Sequence, residues 1–265
     1  MSVDHKHTEN KQILLLGASG GIGQAIAEEL DEQSARLLLV GRNESRLQQL
    51  QQRLNGEHQL IVADVNTVEG RTKIVETCKK TGLDICINAA GVQDFGLFES
   101  QSNDCIEWMM STNLVSPILL CQQLIPLLRN QTEAAIINIG SVFGSIGHPG
   151  FTAYCASKFG LRGFTEALQR ELADTSIRVA YLAPRATRTD LNSSAVMELN
   201  KALGNATDSP KRVAKELGNV LAGRRKQRFM GWPENLFIRI NSLFPGLVHK
   251  ALVKKLPTIR RFAGH

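Results

Sequence analysis

Short runs that are apolar at nearly every position alternate along this chain with longer stretches whose apolar residues return every three to four positions. The strand-like runs are 12–16, 36–40, 59–65, 83–89, 134–140 and 177–183, with a last short one near 226–231. Helical spacing marks 21–33, 43–54, 67–80, 103–128 and 152–173. A strand that is apolar throughout has no solvent face, so its sheet must be covered on both sides, which is the habit of parallel sheets. The pattern predicts a doubly wound α/β fold in a single domain over 12–231. A polar segment over 1–11 reads as a flexible tail, and 232–265 reads as an extension. The stretch 185–210, rich in Ser, Asn and Thr, follows a strand end and is expected to form a flap over the site.

Composition narrows the setting. With 265 residues, 43% of them apolar, the chain can bury a full core. Its five cysteines are odd in number and lack C-x-x-C spacing, which argues against a disulfide framework or a zinc site and fits a reducing cytoplasm. No catalytic metal is expected. Residues 1–11 lack the apolar core of a signal peptide, and no apolar run approaches the roughly 18 residues of a membrane span, so a soluble or membrane-surface protein is expected. Charge is partitioned: residues 211–265 hold thirteen Lys and Arg against two acids, a local +11, so the chain's net +6 leaves −5 for residues 1–210.

Two sets of residues carry chemistry. The first is the turn Gly17-Ala18-Ser19-Gly20-Gly21-Ile22-Gly23, between the first strand and first helix. Glycines at 17, 21 and 23 let backbone approach a pyrophosphate, and the N–H groups of the following helix favour its charge. A carboxylate ending the second strand would repel a ribose 2′-phosphate; here the chain has Gly41-Arg42-Asn43, and a guanidinium matches phosphate geometry. That favours NADP(H), the alternative being an Arg42 that merely opens a solvated helix. Asp64, followed by Val65, ends the third strand where an adenine amino group would lie. Asn88-Ala89-Ala90-Gly91 offers small residues where the cofactor must lie against backbone.

The second set is Asn113, Ser141, Tyr154 and Lys158. Tyr154 and Lys158 are four apart and share one helical face. A free phenol has a pKa of about 10, and a nearby ammonium, helped by an oxidised nicotinamide ring, is expected to lower it. Tyr154 can then exchange a proton with a carbonyl or alcohol oxygen. Ser141, at a strand end, can hydrogen-bond that same oxygen, and Asn113 can hold a water that links Lys158 to solvent.

With these motifs the chain resembles the short-chain dehydrogenases/reductases over nearly all of 12–231. The resemblance implies a Rossmann fold, the tetrad Asn113, Ser141, Tyr154 and Lys158, and a homo-oligomer, dimer or tetramer. It implies that Lys158 binds the nicotinamide ribose and that Thr187 and Thr189 lie near the carboxamide. The implied cofactor contacts are Gly17, Ser19, Gly21, Ile22, Gly23, Arg42, Asn43, Asp64, Val65, Asn88, Ala89 and Gly91, then Tyr154, Lys158, Pro184, Thr187 and Thr189. Three departures stand out: Leu16 for a threonine, Ala89 for a second asparagine, and Arg185 after Pro184 for a glycine. Arg185, with Arg188 nearby, is a candidate to meet an anionic group.

The expected activity is therefore an NADP(H)-dependent reduction of a ketone or aldehyde, reversibly an alcohol oxidation, on an apolar, lipid-like small molecule. A 3-oxoacyl-carrier-protein reductase and a non-catalytic NADP(H)-binding sensor or scaffold are the alternatives. In the extension, Leu236, Ile240, Leu243 and Leu247 recur at helical spacing beside Phe237 and Phe244, with Arg239, Lys250, Lys254, Lys255, Arg260 and Arg261 as charges. Such a segment suits a membrane surface, an acidic acyl carrier protein, or packing on its own domain or another subunit. Nucleic acid is not expected, because no recognition motif accompanies the basic residues. His148 reads as an ordinary loop residue and Cys155 as an apolar filler. His5 and His7 read as solvated tail.

Overall fold

Each central strand sends alternate side chains to opposite faces, and both faces are buried. The first strand, β1 (Gln12–Leu16), places Ile13 and Leu15 in one apolar cluster and Leu14 and Leu16 in the other. The same alternation repeats in β2 (Arg36–Gly41), β4 (Ile85–Asn88) and β5 (Ala134–Ile139). With β3 (Gln59–Val62), β6 (Ile177–Ala183) and β7 (Gln227–Phe229) they form a seven-stranded parallel sheet, in the order β3-β2-β1-β4-β5-β6-β7. This computed structural model describes residues 7–223 and 226–264, so His5 lies outside the described residues.

One face is covered by α1 (Gly21–Asp31) and α8 (Pro210–Leu221), which also pack on each other. The other face carries α3 (Val68–Thr81), α5 (Ser116–Leu128) and α6 (Thr152–Glu171). Between β2 and β3 runs α2 (Glu44–Gln51), capped by the Asn43 side chain. A short α4 (Asn103–Met110) joins α5 through a π-helical turn over Ser111–Val115, making one continuous rod. By length and composition that rod is apolar enough to cross a bilayer, which the sequence reading did not anticipate. Its apolar face, however, is spent on the sheet, with Leu120, Cys121, Leu124 and Leu128 buried there.

The sheet order reverses between β1 and β4, and a cleft opens beyond the carboxyl ends of such strands. The expected flap contains a helix, α7 (Ser194–Ala202), capped by Ser193, and is tied back by a bridge between Thr187 and Asp208. The extension folds into α9 (Glu234–Leu243) and α10 (Pro245–Ala263), which pack on each other; α10 also packs on α7. Ile238, Val248 and Ile259 are its buried anchors. At the other end of the chain, Thr8 is buried and donates to Gln33 at 2.7 Å, so the segment just before β1 is pinned to the α1–β2 corner.

Candidate active site

The glycine turn is shaped by close backbone contact. Gly17 has φ +78°, and a Cβ there would stand 2.6 Å from the Ala90 backbone, so this position needs glycine and a small partner after β4. A Cβ on Gly21 would meet the Thr189 methyl at 2.7 Å, which places Thr189 directly over the turn. The helix that follows begins uncapped: Gly20 offers no side chain and the first turn holds no acid. Its end lines a cavity of about 660 Å³ that runs from Arg42 and Asp64, past Gly17 and Gly91, to Ser141, Tyr154 and Lys158.

Of the residues singled out by sequence, Gly17, Ser19, Gly21, Ile22, Gly23, Arg42, Asp64, Val65, Ala89, Gly91, Pro184, Thr187 and Thr189 all line this cavity. Two side chains have other work. Asn43 accepts from the Arg46 N–H at 2.9 Å and caps α2. Asn88 is buried within the sheet, with neither amide atom hydrogen-bonded among the described residues. Arg46, which the sequence reading passed over, joins Arg42 at the cavity wall, and the Arg42 guanidinium lies over the Trp108 ring, 5.8 Å from its centroid.

Tyr154 and Lys158 do share a face of α6, and both are buried. The Lys158 ammonium sits 5.8 Å from the Tyr154 ring centroid and donates to the Ile139 carbonyl at 3.3 Å. Ser141 faces the Tyr154 phenol, and its Oγ accepts from the Phe143 N–H at 3.1 Å. The expected acidification of the phenol by the amine is not what the protein alone provides. Burial dominates, pushing the Tyr154 phenol up to about 12, partly offset by the Ser141 hydroxyl, and the Lys158 amine down to about 8. Removing water penalises both charged forms, so the protein alone holds Tyr154 as a neutral proton donor.

Asn113 lies on the π-helical turn, and its amide is a brace. Its oxygen accepts from the Val92 N–H at 2.8 Å, and its nitrogen donates to the Val92 carbonyl at 2.8 Å and to Ser157 Oγ at 3.0 Å. Ser157 donates in turn to the Tyr154 carbonyl at 2.8 Å. The side chain thus locks the β4 loop to the tyrosine helix. Sequence reasoning also missed Tyr181. Its hydroxyl accepts from the Ser141 N–H at 3.3 Å, and its ring fills the space that Gly140 and Gly144 leave open. Only the strand pairing brings Tyr181 and Ser141 together, so spacing along the chain carried no signal.

Past the tyrosine the cavity wall turns apolar and aromatic, with Phe143, Phe151, Val196, Phe237, Val248 and Leu252 on it. His148 belongs to this wall rather than to an open loop. It stacks on Phe143 with ring centroids 4.9 Å apart, and burial lowers its pKa. Arg185 does find anionic partners, but they are internal: Asp208 at 2.9 Å and Glu234 at 3.2 Å. Arg212 shares Asp208 at 3.0 Å, so the cluster fastens the loop after β6 to the starts of α8 and α9.

Residues 11–200 match the family model for short chain dehydrogenase. The chain is a short-chain dehydrogenase. Relatives of this short-chain dehydrogenase include the carbonyl reductase family member 4 of Danio rerio, 37% identical over 191 residues, covering 70% of this chain and 79% of the relative. A 3-oxoacyl-[acyl-carrier-protein] reductase of Haemophilus influenzae is 33% identical over 220 residues, covering 82% of this chain and 85% of its own. The dehydrogenase/reductase SDR family member 7B of Bos taurus is 26% identical over 268 residues, 94% of this chain and 82% of that one. Family members of this kind are oxidoreductases that use a nicotinamide cofactor and act on CH–OH or C=O groups. The cleft fits such a cofactor on its own evidence: an uncapped helix end, a glycine turn that leaves no room for a Cβ, and a proton donor at the far end.

Proposed function

We propose that this dehydrogenase uses NADP(H) to reduce a ketone or aldehyde on an apolar, lipid-like molecule, with Tyr154 as the proton donor. One observation carries the reading: a single cavity runs from Arg42 and Arg46, past Ser141, Tyr154 and Lys158, into an apolar chamber under the C-terminal helices. Two guanidiniums beyond the carboxyl end of β2 suit a 2′-phosphate, where a carboxylate would repel it. A nicotinamide held in the cleft would supply or accept the hydride. Tyr154 gives its phenolic proton to the substrate oxygen, and Ser141 holds that oxygen by a hydrogen bond. Lys158 stabilises the phenolate left behind, while its own burial keeps it ready to release a proton. The apolar walls exclude water and favour a carbonyl group carried on hydrocarbon.

The test is to follow the absorbance of the reduced nicotinamide over aliphatic, steroidal and acyl-thioester ketones. Tyr154→Phe is expected to keep cofactor affinity and lose turnover by roughly a thousandfold or more, within the range that general acid catalysis contributes. Near-normal turnover in that variant would overturn the assignment. The 3-oxoacyl-carrier-protein reductase reading draws on the Haemophilus influenzae relative. It would be favoured if acyl thioesters alone were turned over. A binding-only sensor would show no turnover with any of them.

A further inference from the structure

The helices α9 and α10 have an inner and an outer surface, and the cavity uses only the inner one. Val248 and Leu252 close the chamber, and Ile259 is fully buried against the domain. On the outside, the turn between the helices exposes an unbroken run, Leu243-Phe244-Pro245-Gly246-Leu247. Leu243 is 73% exposed, Phe244 62% and Leu247 61%; Leu236, two turns back on α9, and Trp232, before its start, are also exposed, at 40% and 73%. The stripe read from sequence spacing is thus mostly the outer face, with Ile240 half-buried.

Charge decides what such a tip meets. From Asn235 to His265 the sequence holds six Lys and Arg and no acid. Arg239 and Lys250 are exposed within about two turns of the apolar tip, Lys254 is exposed one turn further along α10, and Arg260 and Arg261 are exposed at its far end. A second copy of this surface would bring two strongly cationic patches together, which like-charge repulsion opposes. An acidic protein would answer the cations without needing a blunt apolar knob. An anionic lipid surface answers both, since the knob enters the acyl boundary while the cations meet headgroups.

We propose that the tip of the α9–α10 hairpin docks this enzyme on anionic membrane, with the substrate chamber directly beneath the docked element. This rests on the apolar-substrate reading above and deepens it: the bilayer is where the carbonyl compound is collected. The knob and the chamber wall are two sides of the same pair of helices. Substrate leaving the acyl layer therefore meets Phe237 and Leu252 without crossing open water.

The experiment is co-sedimentation of the full chain with vesicles of phosphatidylcholine alone and of phosphatidylcholine with about one-fifth phosphatidylserine. Binding is expected to the anionic vesicles only, and to weaken with salt. A triple variant Leu243→Ser, Phe244→Ser, Leu247→Ser should lose about tenfold or more of that binding, as should Lys250→Glu with Lys254→Glu. None of these residues lines the cavity, so turnover of a short water-soluble ketone with NADPH should stay unchanged. Absence of binding by the intact chain to anionic vesicles overturns the docking. So does retention of acyl carrier protein in place of vesicles, which would make the partner a protein. If soluble-ketone turnover is also missing in the intact chain, the catalytic reading fails separately.

Discussion

At the scale of single residues, the site's chemistry follows from what burial does to two neighbours on one helix. Lys158 is held near 8 because water is removed from around it, whereas an unfolded lysine titrates near 10.5. Such a depressed pKa means that between about pH 8 and 10.5 the unfolded chain binds more protons than the folded one. Stability from this group therefore rises as pH climbs through that window, and below about 8 the full cost of burying the cation is paid. The shift corresponds to about 3 kcal/mol. Lys158→Met should thus raise the unfolding free energy at neutral pH by an amount of that order while abolishing turnover. The advantage should shrink as pH rises toward about 10, in the window between the two lysine values. Urea unfolding of both proteins across that range checks it, and parallel stability curves would contradict the burial argument. Tyr154 moves the other way, up to about 12, so it stays protonated throughout the window.

At the scale of elements, the C-terminal hairpin is held by few but well-buried contacts. Ile259 is completely enclosed with Phe151, Tyr154 and Val196 in an apolar cluster that adjoins the catalytic helix, and Arg185 grips Glu234 at the start of α9. Truncating a fully buried isoleucine costs about 2–5 kcal/mol, depending on how far the site collapses. Because the hairpin lies outside the sheet, that loss should fall on it first. Ile259→Ala is expected to speed proteolytic cleavage within 234–263 severalfold while the sheet domain persists as a resistant fragment. Uniform digestion of both regions would show that the hairpin unfolds only with the whole. The strands and most helices were readable in the sequence because their signals are local: Ile13 to Leu16 alternate faces, and Gly17 permits a turn that no other residue takes easily. The placement of the hairpin was not readable. Leu243 and Leu247 have helical spacing, yet Phe244 and Pro245 break the helix between them, and it is Ile238, Val248 and Ile259 that face inward. Asn113 and Ser157, 44 positions apart, and the Arg185–Asp208–Glu234 cluster likewise exist only once the chain has folded.

At the scale of the whole molecule, the cleft is a seam. The glycine turn, Arg42 and Arg46 come from the half of the sheet ending in β3, while Ser141, Tyr154 and Pro184 come from the half ending in β7. A dinucleotide laid across the seam must contact both halves, so it binds only the folded chain and stabilises the whole fold by mass action. At a free concentration of about a hundred times Kd, that stabilisation is about 2.7 kcal/mol. For a domain of this size it corresponds to a rise in Tm of about 5–10 °C. NADPH is expected to give the larger rise and NADH at equal concentration a smaller one, because only the former carries a ribose 2′-phosphate for the two guanidiniums. Arg42→Ala should reduce the NADPH rise toward the NADH value and leave the latter nearly unchanged, since neither ribose hydroxyl needs a cation. Thermal melts of the two proteins with each cofactor separate the outcomes. An equal loss with both cofactors would mean that Arg42 serves the shape of the cleft through its contact with Trp108, and that the preference for a 2′-phosphate lies elsewhere.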